Sequence, residues 1–190
     1  IELNSLTLEE LKDYMYTIGE KRYRGEQLFT YIHGNQGNKI SEITVFSKGV
    51  RDKLERLGKI SQMKIYRRFD SKLDSTRKYL FLLEDDNIIE GVAMEYQHGW
   101  TACISAQVGC RMGCVFCAST KGGLVRNLSA GEMTNQIYTM EKDLNVKWKE
   151  FNTEEFVNNV VDGKQNPKII EEARELMNET IKNREETQDW

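Results

Sequence analysis

Cys110, Cys114 and Cys117 stand in the run QVGCRMGCVFCAST at the spacing C-x3-C-x2-C, which confines three thiols to one short loop. Three soft ligands can hold three irons of a 4Fe-4S cluster and leave the fourth iron open to a substrate, whereas clusters that only carry electrons normally take four cysteines. An open iron implies chemistry. Two other uses of the same cysteines stand beside it: a zinc site completed by Cys103 or His98, and two disulfides among the four thiols. Zinc sites commonly pair their ligands as two separated C-x2-C knuckles, and only one such pair occurs here. With no secretory leader and no apolar run of membrane length, the expected compartment is a reducing cytoplasm, without membrane contact.

The rest of the chain is expected to fold as α+β or α/β. Thr7 and Glu10 form a capping box ahead of Leu8, Leu11 and Met15, which predicts a helix from Thr7 to about Ile18. Arg22 to His33 and Ser47 to Gly58 continue the helical spacing. The texture then changes to β-branched and aromatic runs at Met63–Phe69, Lys78–Leu83, Ile88–Tyr96 and Trp100–Ser105, separated by turn-forming clusters. Three of these runs predict an antiparallel meander and the fourth the first strand of a (β/α) barrel, which puts the cysteine loop at that strand's C-terminal end. Ser129 and Glu132 make a second capping box, for a helix to about Leu144. Beyond Val146 the pattern is helical, at Thr153–Val161 and from Asn166-Pro167 onward. The expected organisation is a helical unit over 1–60, a β linker over 61–97, the opening of a barrel core over 98–145 and a helical tail over 146–190.

Composition is ordinary for a soluble globular protein, with 39% apolar residues in a 190-residue chain. The net charge of -3 belongs to the tail, where 11 acidic residues face 7 basic ones. His33 and His98 are expected as turn or surface residues.

Around the cysteines the chain reads NIIEGVAMEYQHGWTACISAQVGC upstream and ASTKGGLVRNLSAGEMTNQIYTMEKDL downstream. Together with Phe116, these runs resemble the radical S-adenosylmethionine (SAM) enzymes that methylate carbon 2 of one adenine in 23S ribosomal RNA, and tRNA in some bacteria. A sister branch methylates carbon 8 of the same adenine, and the RNL-x-AGE wording is closer to the carbon 2 branch. The resemblance covers residues 1 to about 145. It implies a truncated form of that methyltransferase, with a small helical accessory domain, the start of a partial barrel, a 4Fe-4S cluster held by Cys110, Cys114 and Cys117, SAM as cosubstrate, and a reductant such as flavodoxin or ferredoxin. It further implies Glu90 as the general base at carbon 2 and Cys103 as the cysteine that releases the product. Family members are nearly twice as long. Their Gly-Met-Gly-Glu-Pro type motif and C-terminal methyl-carrying cysteine are not found here, and the chain starts at Ile1. The competing expectation is a non-catalytic iron-sulfur or zinc binding fragment with residual RNA contact. For RNA, the candidate cations are Lys21, Arg22 and Arg24 beside Tyr23, and Arg67 with Arg68. Arg126 and Asn127 are open to two uses: contacting phosphate or SAM, and capping the helix that follows.

Overall fold

Thr7 accepts the Glu10 amide while the Glu10 carboxylate accepts the Thr7 amide, so the first helix starts where the capping box predicts. The computed structural model describes residues 1–97, 99–148 and 152–161, the last three as backbone. Helices α1 (Leu8–Thr17), α2 (Tyr23–Phe29) and α3 (Lys48–Leu57) close around Leu3, Leu11, Met15, Leu28, Phe46 and Leu54, all at most 2% exposed. After Phe29 the backbone widens into one π-helical turn, Thr30–Gly34, which seats His33 in the interior.

Strands β1 (Lys64–Asp70), β2 (Arg77–Leu82), β3 (Ile88–Tyr96) and β4 (Gly99–Cys103) form one antiparallel sheet in sequence order. The fourth strand, expected to open a barrel, is also the last strand of this sheet and pairs antiparallel with β3, Val92 opposite Cys103 and Ala93 opposite Ala102. Two residues separate Tyr96 from Gly99; so short a link makes a hairpin, whereas a parallel neighbour needs a crossover of a dozen residues or more. Two short strands, β5 (Gln107–Gly109) and β6 (Leu124–Asn127), make a separate hairpin, and α4 (Ala130–Leu144) and α5 (Thr153–Val161) follow. The second tail helix expected from Asn166-Pro167 lies outside the described residues.

Period-two burial gives the sheet two unlike faces. Tyr79, Phe81, Ile89 and Ala93 point to one side, where Met133 and Met140 of α4 meet them in a second hydrophobic cluster. Tyr79 and Phe81 stack with ring centroids 5.5 Å apart, and the Tyr79 hydroxyl donates to Asp143 on α4 at 2.8 Å. The register puts Lys64, Arg67 and Phe69 of β1, Lys78 and Leu80 of β2, Glu90 and Val92 of β3 and Cys103 of β4 on the opposite side, which no helix among the described residues covers.

The helices join α4 through buried polar contacts. Asn4 and Ser61 hydrogen bond reciprocally, Asn135 donates to the Ser61 carbonyl at 2.8 Å, and Ser5 accepts the Gly131 amide at 2.9 Å. His33 Nδ1 lies 2.9 Å from the Tyr138 hydroxyl, and its Nε2 is buried without a hydrogen-bond partner among the described residues. The expectation of a turn or surface histidine is thus corrected: the π turn carries the ring inward.

Burial lowers the His33 pKa to about 4. The folded protein therefore keeps the ring neutral while the unfolded chain takes up a proton near the ordinary 6.5, so this contribution is complete above that value and is lost as pH falls from 6.5 toward 4. Urea titrations are expected to show about 2 kcal/mol less stability at pH 5 than at pH 7.5 from this residue. His33→Phe should flatten that difference, and an unchanged pH slope in the variant would rule the assignment out.

Candidate cluster-binding site

The cysteine loop is a closed excursion from the β5–β6 hairpin. Val108 pairs with Arg126 and Gln107 with Asn127, and the Cys110 amide donates to the Gly123 carbonyl at 3.0 Å, so residues 110–123 leave and return at one point. Gly109, Gly113 and Gly123 have φ of +74°, +67° and +70°. The closure needs glycine at Gly109 above all, because a Cβ there would run into the Gly123 carbonyl oxygen. Within the loop the Thr120 hydroxyl donates to the Cys117 and Cys114 carbonyls at 2.9 and 3.1 Å. The Met112 amide points at the Cys110 sulfur at 3.5 Å.

All four cysteines are free thiols; Cys110, Cys114 and Cys117 are half-buried and Cys103 is exposed. Among the described residues no three His, Cys, Asp or Glu side chains are gathered closely enough to hold a metal ion. The loop thus brings the three thiols onto one stretch without converging them. His98, a zinc ligand in one alternative, lies outside the described residues. The donor set still fits an iron-sulfur cluster: three unpaired thiols, one already receiving an N–H···S contact, on a loop that glycine lets turn.

Glu90 and Cys103 stand on the same face of the sheet, the one away from α4. Cys103 is paired with Val92, two residues along β3 from Glu90 and on the same side. Just past β4 the Ser105 hydroxyl donates to the Glu90 carbonyl at 2.7 Å, tying the start of the cysteine segment to the strand that carries Glu90. The Glu90 carboxylate is half-exposed and pairs with Lys78 at 2.7 Å. Sequence reading missed Lys78; its signal was the register that sets β2 and β3 side by side.

Arg126 turns out to be neither a helix cap nor a free cation. Its guanidinium grips Glu132 with two bonds of 2.7 Å and Asp85 with a third of 2.7 Å, fastening the hairpin to α4 and to the β2–β3 turn. This holds the Asp85 carboxyl down to about 2. Glu132 also falls below its usual range: burial opposes ionisation, but the Arg126 and Ser129 hydrogen bonds outweigh it. Asn127 accepts from Gln107 across the hairpin.

Residues 1–60 match the family described as "Ribosomal RNA large subunit methyltransferase N-terminal domain". The chain is 56% identical over 144 residues to the probable dual-specificity RNA methyltransferase RlmN of Alkaliphilus oremlandii, covering 75% of this chain and 41% of that protein. With the protein of the same description from Thermoanaerobacter sp. strain X514 the identity is 49% over 141 residues, covering 74% and 41%. In structure the chain is similar to a radical SAM methyltransferase from Sphaerobacter thermophilus, with a TM-score of 0.68 and 34% identity over 76% of this chain and 42% of that one. It spans about two fifths of the length of these relatives. Over about three quarters of its own length, therefore, the chain matches the N-terminal portion of the radical SAM RNA methyltransferase family.

Proposed function

We propose that this chain supplies the cluster-holding and base-facing part of a radical SAM methyltransferase that acts on carbon 2 of adenine in 23S ribosomal RNA and in tRNA. Residues 1–60 serve as the accessory domain, 61–97 as the β linker and 98–145 as the opening of the catalytic core. The observation that carries the reading is the placement of Glu90 and Cys103 on one sheet face, with the chain running from Cys103 directly into the cysteine loop.

Cys110, Cys114 and Cys117 would hold the 4Fe-4S cluster as thiolates, and Gly113 lets the backbone turn between them. When bound, the cluster supplies the electron that cleaves SAM to a carbon radical. This route suits an electron-poor ring carbon that bears no acidic proton and resists polar methyl transfer. Glu90 accepts the proton leaving carbon 2, and Lys78 holds its carboxylate in place. The exposed Cys103 thiol, one strand away, would attack the sulfur of the thioether that links the base to a methyl-carrying cysteine not among residues 1–190, forming a disulfide while the carbon–sulfur bond breaks and its methylene carbon keeps the electron pair and takes a proton. A one-electron donor such as flavodoxin or ferredoxin is the partner this chemistry calls for, and unbridged cysteines suit the reducing cytoplasm. Among the described residues no helix is long and apolar enough to cross a membrane.

Anaerobic reconstitution with iron and sulfide tests the reading. The expected result is about four irons per chain, an EPR signal on reduction that shifts when SAM is added, and loss of both in Cys114→Ala. Retention of zinc, or absence of any cluster in the wild-type chain, would transfer the assignment to a non-catalytic metal-binding fragment.

A further inference from the structure

The two basic runs of this chain have different fates in the fold. Arg22 is paired to Glu9 and Asp13, and Arg24 to Glu20, so the run at 21–24 is largely neutralised. On β1, Arg68 is likewise consumed, by Asp70 and Asp143 on the α4 side of the sheet. Arg67 is not. Among the described residues it meets no carboxylate, and its guanidinium lies over the Phe69 ring, 4.8 Å from the centroid. Phe69 is itself 43% exposed, and Tyr66, the extra residue of a β-bulge between Ile65 and Arg67, is 62% exposed.

Register decides what this stacked pair looks onto. Phe69 is opposite Lys78, Lys78 opposite Val92, and Val92 opposite Cys103, so one cross-strand row runs over the uncovered face from the aromatic ring to the thiol. The neighbouring row runs from Arg67 through Leu80 to Glu90. Three inter-strand gaps make the first row roughly 14 Å long. Glu90 is the acidic group in these two rows, and Lys78 neutralises it.

An exposed aromatic ring beside an unpaired guanidinium, on an open sheet, is the combination that takes unstacked nucleotides: the ring stacks a base and the cation meets the adjoining phosphate. Acidic polypeptides fit less well, because charge alone leaves Phe69 and Tyr66 unused. We propose that the outer face of the sheet at Arg67 and Phe69 is a platform for single-stranded RNA, which holds the nucleotides beside the one presented to Glu90 and Cys103. This rests on the function proposed above and adds where the RNA lies.

Binding of a fluorescein-labelled, mixed-sequence, single-stranded 12-nucleotide RNA to the full chain tests it by anisotropy, without any cluster. Arg67→Glu and Phe69→Ala should each weaken binding about tenfold, and Arg67→Glu should lower the salt slope by about one. Lys21→Glu, the same charge change on the other basic run, should bind within twofold of wild type. Both positions on β1 are exposed, and circular dichroism checks that the variants remain folded. The proposal is overturned if the wild-type chain binds no RNA at 50 mM salt, if either β1 variant binds like wild type, or if Lys21→Glu weakens binding as much. Iron uptake is measured on the same preparations: uptake without RNA binding removes the platform and leaves the cluster assignment, and RNA binding through Arg67 and Phe69 without uptake does the reverse.

Discussion

Gly25→Ala is expected to destabilise the protein by about 3 kcal/mol or more, although the same exchange in an open helix stabilises by up to ~1 kcal/mol. The sign reverses because α1 and α2 cross at this position. A Cβ on Gly25 would stand 2.5 Å from the Lys12 nitrogen, 2.6 Å from its Cα and 2.8 Å from the Leu11 carbonyl carbon. These are backbone atoms and cannot rotate aside, so relief requires the helices to part. Parting them opens the contact between Leu11 and Met15 on one side and Leu28 and Ile32 on the other, all at most 2% exposed. Gly49, in the first turn of α3, has nothing among the described residues within 4 Å of its own would-be Cβ. Gly49→Ala should therefore gain about 0.5 kcal/mol. Paired urea titrations measure both. A Gly25→Ala protein as stable as wild type would mean that the helices do not approach as closely as described.

That crossing was not legible in the sequence, and the reason is general to what could and could not be read. Thr7 with Glu10 and Ser129 with Glu132 announce two helix starts because capping is local, its donors and acceptors lying three residues apart. A glycine inside an amphipathic stretch says nothing local about which backbone comes near. The sheet was readable where alternation is strong, as in Tyr79, Phe81, Ile89 and Ala93, and the pairing of β4 was missed because Trp100–Ser105 fits a barrel strand as well as a hairpin arm. On β1 both faces are largely exposed, so its pattern could not announce that Arg67 and Arg68 point to opposite sides. His33 and Arg126 share one cause. Tyr138 lies 105 residues from His33, and Asp85, which Arg126 holds besides the nearby Glu132, lies 41 residues from Arg126; such contacts follow from the assembled fold. The thiols at Cys110, Cys114 and Cys117 can be singled out because their spacing is a local signal, whereas Glu90 and Cys103 are singled out by the resemblance of the surrounding runs. Their placement on one hairpin and one sheet face was not legible.

Gly109→Ala is expected to reduce iron uptake to less than a tenth of the wild-type value while leaving the stability of the remaining fold within ~1 kcal/mol. Two effects act together at this position. The backbone holds φ at +74°, where an L side chain is strained, and the added methyl group would press on the Gly123 carbonyl, coming within 3.1 Å of its carbon. That carbonyl is the acceptor for the Cys110 amide, so pushing it away breaks the bond that closes the loop at its base. Once the base opens, three thiols on an unanchored segment must lose much more conformational freedom to meet one cluster. The hairpin makes few contacts with the two hydrophobic clusters beyond Val108 and Leu128, so unfolding of the helices and the four-stranded sheet should be nearly unaffected. Gly122→Ala is the matched control: no atom of the described residues lies within 4 Å of its would-be Cβ and its φ is not positive, so its iron uptake should equal that of wild type. Iron and sulfide content after anaerobic reconstitution, set beside urea unfolding of the same samples, separates the two effects. Wild-type uptake in Gly109→Ala would show that the cluster gathers its own ligands, and that the closed base of the hairpin is a consequence of the loop's sequence with no part in assembly.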